Sequence, residues 1–147
     1  MLTIALPSSI PVQQVSAFYQ ADVSILRADT VHPAISGNKW FKLYYYLRQA
    51  LRLKKKGIVT FGGAWSNHIA ATAAACAAAG LKCTGIIRGE EPVAYSVTLQ
   101  QARELGMQLQ FVSRQDYKEK AAVDFNNEWL LVPEGGYGTD GMLGAAH

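Results

Sequence analysis

The sequence predicts an α/β fold in three layers, a parallel sheet flanked by helices on both faces. Three observations predict it. Four short apolar runs, at residues 57–61, 81–88, 107–112 and 128–132, alternate with helical runs in the order β-α-β-α-β-α-β. That order is the pattern of parallel strands joined by right-handed crossovers. Glycine pairs follow the first and last strand-like runs, Gly62-Gly63 and Gly135-Gly136, and in such sheets ligands bind at the carboxyl ends of the strands. Between residues 69 and 79 the only polar side chain is Thr72, and a helix that is apolar all round is a buried one.

Residues 1–21 are weakly patterned, with Pro7 and Pro11 interrupting them. Residues 15–19 allow a turn of helix, and residues 23–28 alternate as a strand. Residues 29–36 form a loop in which Pro33 holds His32 out of the helical region. Ser36-Gly37-Asn38-Lys39 then opens a long helix. Trp40, Leu43, Tyr44, Leu47 and Leu51 lie at helical spacing and predict its buried stripe. The cations crowd its C-terminal end, where the helix dipole favours them, and Gly57 is a natural stop. Lys39 is different, because a cation in the first turn is disfavoured by that dipole. If it is also desolvated, its pKa falls, which is what a Schiff-base lysine needs. The competing expectation is an exposed lysine whose stem lies along the surface, and the residues alone favour that one.

The run FGGAWSNHIAATAAACAAAG, residues 61–80, organises the chain. Two glycines let the backbone turn sharply after the strand. Ser66 is an N-cap candidate for the alanine helix. The free N–H groups of that helix start, with its partial positive charge, favour a carboxylate or phosphate. The alanines are explained by burial alone, whereas Gly62-Gly63-Ala64-Trp65-Ser66-Asn67-His68 is not. Residues 81–88 are the second strand, and residues 98–105 a helix stopped by Gly106. Residues 107–112 are the third strand and residues 114–123 a helix carrying Tyr117 and Lys120. Residues 128–132 are the fourth strand. The glycine turn at 133–138 precedes a short final helix.

Composition excludes several classes. At 147 residues, half of them hydrophobic, the chain has about one domain's length and a sufficient core. The net charge of +3 sits largely in the block from 48 to 56, which reads as the solvated end of a helix. No basic groove with interleaved aromatics accompanies it, so no nucleic-acid partner is expected. The alanine helix falls short of the roughly 20 apolar residues that span a bilayer, so no membrane partner is expected. Cys76 and Cys83 are too few for a disulfide framework or zinc site, and no metal is expected. They read as reduced core residues. No basic segment followed by a long apolar stretch opens the chain, and a cytoplasmic location is expected. No dinucleotide fingerprint or P-loop is present. Ser66 and His68 stand too close in sequence for a default triad, and the nucleophile-elbow pattern is absent.

Three segments together resemble one family. Ser36-Gly37-Asn38-Lys39-Trp40-Phe41-Lys42-Leu43 resembles the lysine motif of the 1-aminocyclopropane-1-carboxylate deaminase and D-cysteine desulfhydrase family. Phe61-Gly62-Gly63-Ala64-Trp65-Ser66-Asn67-His68 resembles its substrate-binding turn, with Trp65 where an aromatic residue, often tyrosine, is usual. Leu131-Val132-Pro133-Glu134-Gly135-Gly136 resembles its later proline-glycine turn. The resemblance implies the tryptophan-synthase-β-like fold, called fold type II, and pyridoxal 5'-phosphate as cofactor. It implies that Lys39 carries the cofactor and moves protons once freed. It implies that Asn67 bonds the cofactor's phenolic oxygen, and that Ser66, with the N–H groups of Asn67 and His68, holds the substrate carboxylate. Ser66 is also implied in proton transfer. The substrate is then a small amino acid, converted to a 2-oxo acid and ammonia, and the enzyme a homo-oligomer, as a dimer.

The family's chain continues beyond this one with a glycine-rich loop for the cofactor phosphate, and no equivalent is found here. The chain therefore looks truncated, an N-terminal half. Residues 1–52 are expected to begin a large cofactor domain, 53–126 to form a small α/β domain, and 127–147 to return into the large one. Apolar surface left uncovered is expected to promote self-association. A non-catalytic anion-binding or interaction module derived from the same fold is the alternative function.

Overall fold

A four-stranded parallel sheet lies at the centre of the computed structural model, which describes residues 7–15, 22–32, 34–35, 37–119 and 126–146. Its strands are β3 (Gly57–Gly62), β4 (Lys82–Arg88), β5 (Met107–Val112) and β6 (Trp129–Val132), in the spatial order β5-β4-β3-β6. All three pairings are parallel, and Thr60 stands opposite both Gly85 and Val132. A short antiparallel pair, β1 (Val12–Gln14) and β2 (Ser24–Leu26), stands apart from the sheet. The helices are α1 (Lys39–Arg52), α2 (Asn67–Ala79), α3 (Val97–Glu104), α4 (Arg114–Glu119) and α5 (Thr139–Ala145).

Chain direction decides which face each helix covers. From β3 the chain steps outward to β4 and β5 through α2 and α3. It then crosses back to β6, on the far side of β3, through α4. Right-handed crossovers that reverse direction must use opposite faces. Accordingly Ile58, Cys83, Ile87, Met107 and Val132 pack with residues of α1, α2 and α3. Val59, Phe61 and Ile86 point the other way and pack with Tyr117 of α4. The reversal makes the carboxyl ends of β3 and β6 a topological switch point, where open α/β sheets form the crevice that binds ligands. Every residue of β3 is buried, which fits a strand with neighbours on both edges and layers on both faces.

Several expectations are corrected in detail. The buried face of α1 is Trp40, Phe41, Leu43, Tyr46, Leu47 and Ala50, and Tyr44 and Leu51 are only half-buried. The shift has a cause. α5 packs beside Phe41, and the Tyr46 hydroxyl donates to Tyr137 O at 2.6 Å. α1 also stops before Gly57. Lys54 takes the left-handed conformation at φ 50°, Lys55 N–H bonds Ala50 O, and Gly57 opens β3 instead. β1 had no strand signal, being three residues long with two glutamines. Most of the helical turn expected over 15–19 lies outside the described residues. So do Ser36, Pro33 and residues 120–123 of the expected fourth helix.

α1 shares one core with β3 and α2, and β6 hydrogen-bonds β3 within the sheet. No helix among the described residues is long and apolar enough to cross a membrane.

Candidate functional site

The crevice between β3 and β6 is built on one buried threonine. Thr60 is fully buried near the end of β3, and its hydroxyl donates to Val132 O at 2.8 Å. The same oxygen lies 2.8 Å from His68 Nε2. A hydroxyl has one proton, already given to Val132, so His68 must donate through Nε2–H. Nδ1 is then a bare acceptor. It is buried and has no partner. His68 is 3% exposed, and burial followed by the nearby charges of Lys39 and Lys42 pushes its pKa down to about 4. The imidazole is neutral at physiological pH.

Two helix starts meet around this histidine. α2 begins at Asn67 with Ser66 as its N-cap, whose hydroxyl accepts a long bond of 3.4 Å from Ile69 N–H. The first N–H groups of any helix have no acceptor within it, so those of Asn67 and His68 face outward from α2. Gly62 makes the approach possible. A Cβ there would stand 2.5 Å from Ile69 Cγ1 and 2.9 Å from Ser66 Oγ. α1 begins at Lys39, after Asn38 in an N-cap that makes no side-chain bond, and its first turn holds no acid. Lys39 is half-buried. Its pKa is lowered, first by burial and then by Lys42 one turn on. Neither lysine is in a salt bridge among the described residues.

The return turn closes the arrangement. Pro133 leads from β6 into a 3-10 turn at Glu134–Gly136. At Gly136 the backbone is left-handed, φ 69°, and a Cβ would lie 3.2 Å from Lys42 Cβ and 3.8 Å from His68 Cε1. Lys42 Nζ lies 5.1 Å from the centre of the Tyr137 ring, a cation–π separation.

Lys39, Ser66, Asn67 and His68, the residues singled out in the sequence, thus belong to two helix starts flanking one crevice. Lys39 is half-buried, and burial is the first cause of its lowered pKa. Thr60 went unrecognised, whereas Lys42 and Gly136 were named only as members of their motifs, without roles of their own. The signal for Thr60 was a hydroxyl inside an otherwise apolar strand that precedes a glycine turn. Among the described residues no group of three or more His, Cys, Asp and Glu could hold a metal ion. Both cysteines are free and buried, and a hydrogen bond with Cys83, followed by burial, raises the pKa of Cys76.

Comparison with known proteins finds relatives of the chain. No family model matches the chain. It is 30% identical over 151 residues to a Pyrococcus horikoshii protein provisionally named 1-aminocyclopropane-1-carboxylate deaminase. The match covers 95% of this chain and 46% of that protein. A Yersinia enterocolitica D-cysteine desulfhydrase is 35% identical over 83 residues, 56% of this chain and 24% of that one. Among solved structures, an ACC deaminase homologue superposes with a TM-score of 0.79 at 28% identity, covering 95% of this chain and 46% of that one. The chain therefore spans about half the length of the relatives it matches along most of its length.

Proposed function

We propose that this chain, a homologue of the 1-aminocyclopropane-1-carboxylate deaminases and D-cysteine desulfhydrases, carries the lysine and the carboxylate-binding turn of a pyridoxal-phosphate-dependent deaminase or lyase. The substrate is a small amino acid, 1-aminocyclopropane-1-carboxylate or D-cysteine; with water it yields a 2-oxo acid and ammonia, and D-cysteine also releases sulfide. The observation that carries the reading is the meeting of Lys39, with its lowered pKa, and the start of α2 around a neutral His68.

The residues present fit the cofactor. An amine needs its neutral form to bond an aldehyde, and burial of Lys39 favours that form. Asn67 is exposed at the first position of α2, where its side chain can hold a phenolic oxygen. The cofactor, when bound, supplies an electron-withdrawing ring that accepts electrons from the substrate's α-carbon.

The chain's own groups do the rest. Ser66 Oγ and the N–H groups of Asn67 and His68 hold the substrate carboxylate at the positive end of α2. Lys39 Nζ, neutral for a larger share of the time than a surface lysine, takes and returns a proton at the substrate carbon. Ser66 Oγ stands where it can assist that transfer. His68, locked by Thr60, adds no positive charge beside Lys39. It leaves Lys42 as the fixed cation of the site. The reading brings with it a division into a large domain over 1–52 and 127–147 and a small domain over 53–126. It also brings a dimeric assembly and a cytoplasmic location. Exposed Leu131, Tyr137, Met142 and Leu143 offer apolar surface for self-association.

The test is borohydride reduction after addition of pyridoxal phosphate, with peptide mapping. A reduced adduct on the Lys39 peptide, absent in Lys39→Ala, supports the reading. Labelling spread evenly over the surface lysines overturns it. Should Lys39→Ala leave anion binding at Ser66 intact while no adduct ever forms on Lys39, the non-catalytic module takes its place.

A further inference from the structure

We propose that the cleft between the 63–65 turn and α4 is a second anion site, shaped for a phosphate-sized oxyanion and separate from the crevice at Lys39. A cavity of about 740 Å³ opens there, and none of Lys39, Ser66, Asn67 or His68 lines it. It lies on the α4 side of the sheet, below Phe61 and Ile86, whereas Thr60 and His68 lie on the α2 side.

Three cations surround this cleft against a single carboxylate. Arg88 comes from the end of β4, Arg114 and Lys118 from adjacent turns of α4, and the carboxylate is Glu134. Residues four apart share one face of a helix, so Arg114 and Lys118 face the cleft together. None of the three cations is in a salt bridge among the described residues. Like charges gathered around one concave surface repel one another and focus a positive potential that an anion relieves. Arginine's fork of donors suits the oxygens of a phosphate or carboxylate group.

A second observation points the same way. Tyr117 lines the cleft, is 7% exposed, and its buried hydroxyl has no hydrogen-bond partner. Burial, followed by interaction with the Glu134 carboxylate beside it, raises the phenol's pKa. Arg88 lies 5.7 Å from the centre of the Tyr117 ring. Buried hydroxyls are rarely left without partners. An oxyanion held between Arg88 and Arg114 would accept this proton. Trp65, 76% exposed at the rim, adds an apolar wall. The ligand class is a small oxyanion of two negative charges, such as a phosphate monoester.

The test uses inorganic phosphate as the probe, titrated into the isotope-labelled chain at constant ionic strength. Amide and arginine side-chain resonances are followed. Saturable shifts at Gly63, Ala64, Arg88 and Arg114 are expected. Arg114→Gln with Lys118→Gln should weaken binding tenfold or more. Both side chains are exposed, so the fold should survive. Glu134→Gln should tighten binding severalfold, a sign that unspecific loss of structure would not produce. Non-saturating shifts, unchanged affinity in the double variant, or shifts confined to Asn67 and His68 would overturn the proposal. Labelling of Lys39 by pyridoxal phosphate is followed in the same double variant and should be unchanged, so failure of this site and failure of the Lys39 reading are told apart.

Discussion

His68 Nε2 sits 2.8 Å from Thr60 Oγ1, and that one contact joins α2 to the sheet at the crevice, because the same hydroxyl also donates to Val132 O on the neighbouring strand. A threonine with one proton and two acceptor positions can serve both partners. Thr60→Val keeps the shape and removes both bonds, leaving a ring N–H and a carbonyl buried without partners. The expected loss is about 1–3 kcal/mol, read by urea unfolding. Thr60→Ser should recover most of it. An equally stable valine variant would mean that water or movement satisfies these groups.

His68 also sets a pH dependence. Its folded pKa is about 4, against 6.5 for the free side chain, with burial the largest cause. Between those values the unfolded chain binds more protons than the folded one, so stability rises with pH. The contribution is fully present above about pH 6.5 and is lost as pH falls towards the folded value. The total change approaches roughly 3 kcal/mol. Urea unfolding between pH 4 and 7.5 measures the slope, and His68→Asn should flatten it. The same slope in both proteins would assign it to other groups.

Lys39 should be the most reactive lysine near neutral pH. Its pKa is lowered by burial and, secondly, by Lys42. In a pH series of reductive methylation, mapped by peptide mass, Lys39 should reach half-maximal labelling at a lower pH than the lysines of the α1 C-terminal end. Lys42→Gln removes the second cause and should move Lys39 part of the way back. With pyridoxal phosphate, a borohydride-trapped adduct is expected on Lys39. Without reduction, colour is expected to be lost on gel filtration. Stoichiometric colour surviving the column would show that the chain anchors the phosphate itself.

Much of the fold was legible because its elements carry one-dimensional signals. The alternation of apolar runs and helices placed all four strands of the main sheet, and the residues of α2 announced its burial. The positions of Lys39 and Ser66 at helix starts were legible for the same reason. What was hidden depends on contacts between distant segments. Thr60 looks like any strand threonine until Val132 and His68 are brought beside it from 72 and 8 residues away. The face of α1 turned because α5, nearly a hundred residues on, packs against it. The cation cleft is similar. Arg88 and Arg114 stand at the ends of different elements, and only the parallel order of β4 and β5 brings them to one edge of the sheet.

Gly62→Ala tests whether the turn after β3 must be this tight. The new methyl would stand 2.5 Å from Ile69 Cγ1 and 2.9 Å from Ser66 Oγ. Ile69 is fully buried and has no room to retreat, so the start of α2 has to move outward. Crowding of this kind costs about 1–3 kcal/mol. The larger consequence is positional, since Ser66 and the outward N–H groups of Asn67 and His68 move with the helix start. Anion binding at Ser66, followed through those two amide resonances, should weaken tenfold or more. The Thr60 side chain, anchored to Val132 O from within the strand, should keep its place. The same methyl at Gly63 meets only the Arg88 guanidinium at 3.8 Å, so Gly63→Ala is the control. It should leave stability and Ser66 binding nearly unchanged. Equal damage from both substitutions would mean that the turn's flexibility, rather than the approach of α2 to Gly62, sets the site.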